Sequence, residues 1–415
     1  DGSLKASVIL KDLAPFVPAL SRFEEPLDLN LVFSGHGKHL DCPTLQLANH
    51  HGLMIAGEAA LSNWDAGMDM YIYGKLGNLI MTKEGINVLM TNLTGKVPPI
   101  LQRLDYIRFN GEAAGYLHDL TLTGLFYTGA GMVKTDVMMS IDEQSMSRTY
   151  SGSVASADLD LGKLLNQEKK FGKVDFNVEL KGFNYKNRYP ESYIKGIISS
   201  FEYSQYQYEN IMLDGVYKDG GFNGRLSMDD ANGSVQIDGN FNVAKTIPDF
   251  NLKASVKNLR PHDLHLSDKY ENTSISLGLT ADFTGKSIDD MNGRISLDSL
   301  QLNAPDERGC FLDNLTITAG QVSGEKELRI NSSFMTAVIR GDYSYHTIPA
   351  SVVKTVQRYI PSLLTIKDNM PEPHNNFQFD ICLENTEVLS KLFQIPLELY
   401  LSLIHISEPT RPERI

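Results

Sequence analysis

The sequence predicts a mainly β fold, an antiparallel meander of strands with a few short helices. Three observations support this prediction. Apolar and polar residues alternate with a period of two, turn-forming residues separate the alternating segments, and helical periodicity is scarce. Of the 415 residues, 42% are hydrophobic and 21% are charged, which is typical of a folded chain. We expect either two or three domains or one elongated repeat array.

The clearest alternation covers residues 206–243. Apolar side chains occupy alternate positions and polar ones the positions between, as in a strand with one buried face. The apolar set is Ile211, Leu213, Phe222, Leu226, Met228, Val235, Ile237, Phe241 and Val243. Hairpin turns are predicted at residues 219–221 (Asp-Gly-Gly) and 230–233 (Asp-Ala-Asn-Gly), because Gly and Asn tolerate the positive φ angles that tight turns require.

The same alternation recurs elsewhere in the chain. Its further apolar positions are Val174, Phe176, Val178, Leu180, Leu252, Ala254, Val256, Ile275, Leu277, Leu279, Ala281, Phe283, Phe377, Phe379, Ile381 and Leu383. Residues 4–15 and 252–261 also resemble each other, since each contains Leu-Lys-Ala-Ser-Val followed by Leu-x-Pro. Units that recur at long spacing indicate a repeat array.

Helices are predicted at only three places. The longest covers Pro349–Leu364, where proline suits a first helical turn and the apolar residues cluster on one side. Shorter ones are predicted at Leu161–Asn166 and Pro98–Leu104. So few helices cannot cover every strand.

Composition excludes several classes of function. The net charge is −13 and charges of both signs are mixed along the chain, so no basic cluster is present to bind nucleic acid. No run of eighteen apolar residues predicts a transmembrane helix. Because the chain begins with Asp1, we expect a natural N-terminus to be missing. Residues 400–415 resemble a translated sequencing adaptor and are expected to be non-native, which leaves 1–399 as the repetitive β region.

Candidate metal and catalytic sites are weak. His50 and His51 are adjacent, so on a strand they would point to opposite faces, and no carboxylate follows at ligand spacing. Residues 229–233 resemble part of a calcium loop but lack the bidentate glutamate that such a loop needs, so a hairpin turn is the better interpretation. No nucleophile elbow, phosphate loop or dinucleotide motif occurs. We therefore expect a protein that is not an enzyme and has no cofactor.

One apolar face along many strands must be covered, because each Å² left in water costs about 25 cal/mol. Helices are too few for this, so the remaining arrangements are a sandwich, a solenoid, or a sheet curled around an apolar channel. Taken without any family resemblance, the pattern favours a sealed structural core, as in a β-sandwich or an adhesin-like solenoid.

Three stretches carry a family resemblance. Residues 208–224 (YENIMLDGVYKDGGFNG) and 283–295 (FTGKSIDDMNGRI) resemble the repeat pattern of TamB-like translocation and assembly module proteins in the AsmA/TamB superfamily. Residues 117–137 are similar to the same pattern. The resemblance extends over about residues 1–399, although its motifs are alternations and turns rather than catalytic signatures.

The resemblance implies a taco-like sheet that reaches across the periplasm. It also implies an N-terminal anchor in the inner membrane and a C-terminal partner of the TamA type, an outer-membrane barrel; both ends are expected to be missing here. The implied role is lipid transport, with phospholipid acyl chains in a hydrophobic groove, or translocation and assembly of outer-membrane proteins. The alternative is a secreted or surface β-solenoid, adhesin-like and with a sealed core.

We thus predict an elongated antiparallel sheet, curled into a taco-like or solenoid apolar groove. The residues predicted to line this groove are Ile211, Leu213, Phe222, Leu226, Val235, Ile237, Phe241, Val256, Ile275, Leu277, Leu279 and Phe283.

Overall fold

The computed structural model describes residues 1–13, 21–142, 144–145, 147–184, 191–242, 244–268, 271–305, 309–344, 347, 351, 375–385 and 403–407. Its secondary structure is mainly β and antiparallel with a few short helices, so the predicted fold class is confirmed. The chain divides into two units, residues 1–219 (unit 1) and 220–415 (unit 2).

Unit 1 is an antiparallel meander. Its strands are β1 (Gly2–Ile9), β2 (Pro26–His36), β3 (His39–Ala48), β4 (Leu53–Ser62), β5 (Tyr71–Thr82), β6 (Tyr106–Tyr116), β7 (Asp119–Thr128), β8 (Gly131–Ile141), β9 (Arg148–Ala157), β10 (Leu159–Asp160), β11 (Phe171–Asn184), β12 (Glu191–Tyr203) and β13 (Tyr206–Lys218). Each strand from β1 to β9 pairs with the next, β9 pairs with β11, and β11 continues to β12 and β13. The two-residue β10 also pairs with β11. Such neighbour pairing is what the short turns of the sequence favour.

Three short α-helices lie in the described part of unit 1. They are α1 (Lys83–Thr94), α2 (Pro99–Gln102) and α3 (Leu161–Leu165). Helices α2 and α3 fall within the segments predicted from the sequence, whereas α1 was not predicted. Thr82 caps α1 by accepting a hydrogen bond from the backbone N–H of Gly85 at 3.2 Å, and Gly95 ends it with a φ of 77°.

The helices pack on the end of the apolar face near the β7–β8 turn. Ile86 of α1 is 1% exposed and lies in a cluster with Leu104, Ile107 and Ala130, against which Leu164 of α3 also packs. This cluster covers one end of the apolar face of unit 1. Along β7, the other side chains of that face are half-buried.

Unit 2 is also an antiparallel meander. Its strands are β14 (Gly221–Asp230), β15 (Gly233–Asn242), β16 (Asp249–Leu259), β17 (Ser274–Thr284), β18 (Asn292–Asn303), β19 (Cys310–Val322), β20 (Glu325–Ser332), β21 (Met335–Asp342), β22 (Asn376–Leu383) and β23 (Leu403–Ser407). Each strand from β14 to β23 pairs antiparallel with the next. Strand β23 comes from the segment that the sequence suggests is adaptor-derived.

The turn at residues 230–233 is a two-residue hairpin, as predicted. Asp230 pairs with Gly233 in the β14–β15 ladder, and Gly233 has a φ of 134°. The Asp230 carboxylate accepts a hydrogen bond from the backbone N–H of Asn232 at 2.9 Å. The Asp230 side chain therefore stabilises the turn through this hydrogen bond.

The predicted helix at Pro349–Leu364 lies outside the described residues except for Ser351. Within the described part of the chain, no helix has the length and hydropathy that a membrane crossing requires.

Candidate functional site

The candidate site is the apolar face of unit 2, on which residues of neighbouring strands align in rows. Directly paired residues of an antiparallel sheet share a face, so the register of the strands identifies each row. One row, which we call the phenylalanine row, runs from β14 to β22: Phe222, Phe241, Phe250, Phe283, Gly293, Ala319, Leu328, Ile339 and Phe379. Its rings contact one another, with centroids 5.7 Å apart for Phe222–Phe241 and 4.8 Å for Phe250–Phe283.

Two further rows lie on the same face, separated from the phenylalanine row by a row that contains Gly224, Gly239, Leu252, Ala281, Ile295, Ile317 and Ile330. One contains Leu226, Ile237, Ala254, Leu279, Leu297 and Leu315, and the other contains Met228, Val235, Val256 and Leu277. Nine predicted groove residues of unit 2 therefore belong to three parallel rows. The tenth, Ile275, lies beyond a register shift and pairs with Leu259 and Leu302.

The other two predicted groove residues, Ile211 and Leu213, lie on β13 in unit 1. They pair with Ile198 and Gly196 of β12 and are half-buried.

Burial changes along the phenylalanine row. Phe241, on the second strand of the row, is 40% exposed, whereas at the far end Leu328, Ile339 and Phe379 are 8%, 7% and 4% exposed. None of the twelve predicted groove residues is fully buried: Leu226 and Phe241 are exposed and the other ten are half-buried. Over β14–β17 the predicted groove residues thus stay exposed or half-buried, whereas the phenylalanine row is closed over β19–β22.

The closed end has an identifiable cover. Tyr343 is 5% exposed and packs with Phe377, their ring centroids 6.0 Å apart, in one cluster with Leu328, Ile339 and Phe379. The Lys326 ammonium lies 4.6 Å from the Tyr343 ring centroid and donates a hydrogen bond to the Tyr343 carbonyl at 3.0 Å. These contacts hold the segment after β21 against the sheet.

A second closed cluster lies at one end of the strands. Phe334, in the turn between β20 and β21, is 3% exposed and packs with Leu300 and Leu312. Ile275 and Leu277 contact this cluster. These two predicted groove residues therefore lie where the open face borders a sealed one.

The opposite face of unit 2 is polar and carries ion pairs between strands. The Arg225 Nε lies 2.5 Å from the Asp238 carboxylate. Glu327, 7% exposed, accepts hydrogen bonds from Arg340 at 2.5 Å and Arg329 at 3.1 Å. The guanidinium groups of Arg340 and, second, Arg329 hold the pKa of the Glu327 carboxyl below its usual value. The two faces of the sheet therefore differ sharply in chemistry.

Sequence reasoning missed a contact made by His51. Its Nδ1 lies 2.7 Å from the Glu84 carboxylate of α1 and its Nε2 lies 3.0 Å from the Glu25 carboxylate before β2. The two glutamates are 26 residues before and 33 residues after the histidine, so spacing along the sequence could not identify them. No group of metal-ligating residues is found among the described residues. The arrangement is an ion-pair clasp that joins the β3–β4 turn to α1.

The clasp gives a testable pH dependence. The hydrogen bond to Glu84 raises the pKa of the His51 imidazole. Burial of the ring lowers this pKa, and the negative charge of Glu25 raises it. The pKa of His51 is therefore higher in the folded protein than in the unfolded chain, where it is about 6.5. The stabilisation of the fold by these ion pairs is complete below about pH 6.5 and is lost as pH rises through the folded-state pKa. NMR titration should place the His51 pKa above about 6.5, and Glu84→Gln should lower it. A His51 pKa at or below that value in the wild-type protein would contradict the clasp.

Comparison with known proteins gives no relative: no protein-family model matches the chain, and neither the curated proteins nor the solved structures contain a significant match.

Proposed function

We propose that the open part of the apolar face in unit 2 binds the acyl chains of phospholipid. The observation that supports this most directly is the phenylalanine row, whose side chains remain accessible at Phe241 and are sealed at Phe379. The three rows lie on one apolar face, and the row between the first two of them adds Gly224, Gly239, Leu252, Ala281 and Ile295. An alkyl chain can lie along this face. An acyl chain that covers this surface removes apolar area from water, which stabilises the complex by about 25 cal/mol for each Å² buried.

On this proposal the protein is a bridge in the periplasm that carries phospholipid, or assists insertion of outer-membrane proteins, and has no catalytic role. The resemblance of residues 208–224 and 283–295 to the AsmA/TamB superfamily supports it. An anchor in the inner membrane and an outer-membrane barrel partner are further parts of the same proposal.

The alternative function is that of a sealed structural scaffold, as in a surface β-solenoid. The closed cluster of Leu328, Ile339 and Phe379 favours this alternative for β19–β22, because a covered face offers no surface to a ligand. The open rows over β14–β17 favour lipid binding.

The experiment that separates the two functions measures lipid retained by the chain. The protein is expressed in a bacterial periplasm and purified without detergent, and its organic extract is analysed by mass spectrometry beside that of a β-sandwich protein of similar size. Phospholipid above the level of the control supports the groove. Control-level phospholipid in a folded sample contradicts it and leaves the scaffold.

A further inference from the structure

The polar face of unit 1 contains a cleft that neither the alternation of the sequence nor the proposed function explains. Two depressions of about 470 and 540 Å³ share Met138, Ser151, Lys181 and Tyr193. Both fall in the size range of small-molecule sites, about 300–1,000 Å³. They lie on the face opposite the apolar side chains of the same strands, because Ser151 pairs with Met138 and with Lys181, and Lys181 with Tyr193.

The cleft arises from small side chains on the central strand. Ser151, Gly152 and Ser153 of β9 form its floor, between the longer side chains of β8 and β11. Neighbouring strands lie about 4.8 Å apart, so the walls on β8 and β11 are separated by roughly 10 Å. We name this site the serine cleft and define it by Asp136, Met138, Ser151, Ser153, Glu179, Lys181 and Tyr193.

Tyr193 presents an oriented aromatic ring at the edge of the cleft. Its hydroxyl donates a hydrogen bond to the Asp214 carboxylate on β13 at 3.0 Å, and the side chain remains 37% exposed. A ring fixed at its hydroxyl end and open to solvent can stack against the apolar face of a flat ligand.

The polar groups of the cleft limit the class of ligand. Among the described residues that line the two depressions, Asp136, Glu179 and Glu191 accompany one cation, Lys181, so a phosphate or another anion meets net negative charge. Met138, Phe183 and Val216 give the smaller depression some apolar surface, but the serines and carboxylates of the larger one interrupt it, so no continuous apolar path for an acyl chain runs through the cleft. The backbone of β9 is paired on both sides, with β8 and β11, so an extended peptide cannot be added as a strand.

We propose that the serine cleft binds an uncharged oligosaccharide. One sugar ring stacks on Tyr193, and sugar hydroxyls donate hydrogen bonds to the carboxylates of Asp136 and Glu179 and exchange hydrogen bonds with Ser151 and Ser153. Lys181 donates to a sugar oxygen. The cleft lies on the polar face of unit 1, so this inference does not depend on lipid binding by unit 2.

Calorimetric titration of the full chain with chitotetraose, cellotetraose and maltotetraose tests the proposal. At least one is expected to bind with a Kd below about 1 mM. Tyr193→Ala is expected to weaken that binding about tenfold or more, whereas Tyr193→Phe, which keeps the ring, should remain within about threefold of wild type. Glu179→Gln should also weaken oligosaccharide binding, although it leaves the Tyr193 ring in place.

Tyr73→Ala is the matched control. Tyr73 lies on the same polar face, and its hydroxyl also donates to a carboxylate of a neighbouring strand, Glu58, at 3.5 Å, but it does not line the serine cleft. Its substitution should leave oligosaccharide binding unchanged. The proposal is overturned if none of the three sugars binds folded wild-type protein, or if Tyr193→Ala and Tyr73→Ala bind equally well. Competition by inorganic phosphate, lost in Lys181→Ala, would also overturn it in favour of an anion site.

Discussion

Replacing Phe379 with alanine is expected to lower the free energy of unfolding by about 3–5 kcal/mol, and replacing Phe241 by only about 1 kcal/mol. Both belong to the phenylalanine row, but Phe379 is 4% exposed and Phe241 is 40% exposed. Truncation at Phe379 leaves a cavity inside a packed cluster, which adds a cavity cost to the lost transfer free energy. Truncation at Phe241 leaves a surface that water already reaches.

Urea denaturation monitored by circular dichroism measures the difference. Phe311→Ala serves as a control, because Phe311 is 59% exposed on β19 and its loss should change stability by no more than about 0.5 kcal/mol. Equal and large losses for Phe241→Ala and Phe379→Ala would show that the row is sealed throughout in solution. That outcome would favour the scaffold.

The strands were predictable from the sequence because alternation is a local property. The two-residue turn after Asp230 and the faces of Phe222 and Phe241 follow from residue types a few positions apart. The contrast in burial between Phe241 and Phe379 was not predictable in this way. Both residues alternate with polar neighbours, and their burial depends on whether a distant segment such as that around Tyr343 covers the face.

Helix α1 was missed for a related reason. It contains Gly85 and several β-branched or asparagine residues, which lower helix propensity, and it follows a long strand directly. The signals that could have located it are the capping Thr82 and the terminal Gly95. The serine cleft was missed because the alternation distinguishes apolar from polar positions and is insensitive to size, so Ser151 and Ser153 resemble any solvated positions.

The same limits apply to the site as a whole. The sequence placed ten groove residues on one face of unit 2, and pairing across the strands brings nine of them into three rows. It could not indicate that Ile275 and Leu277 border the closed cluster of Phe334, since that contact depends on how the β20–β21 turn folds over the face.

The substitution Leu279→Asp is expected to abolish lipid retention while the protein stays folded. Leu279 is half-buried between Ala254 and Leu297, near the centre of the open rows. On an open face the carboxylate keeps its contact with water, so the folding cost stays small. An acyl chain would have to desolvate that charge, which is strongly unfavourable.

Thr280→Asp is the matched control for this substitution, because Thr280 is the next residue, is exposed and points to the polar face of the same strand. The measurements are phospholipid per protein by mass spectrometry and the thermal midpoint by circular dichroism. Loss of lipid in Leu279→Asp alone, with both variants folded, supports the groove. If Leu279→Asp unfolds while Thr280→Asp does not, the face is closed around Leu279, and the rows over β14–β17 form a core like that around Phe379.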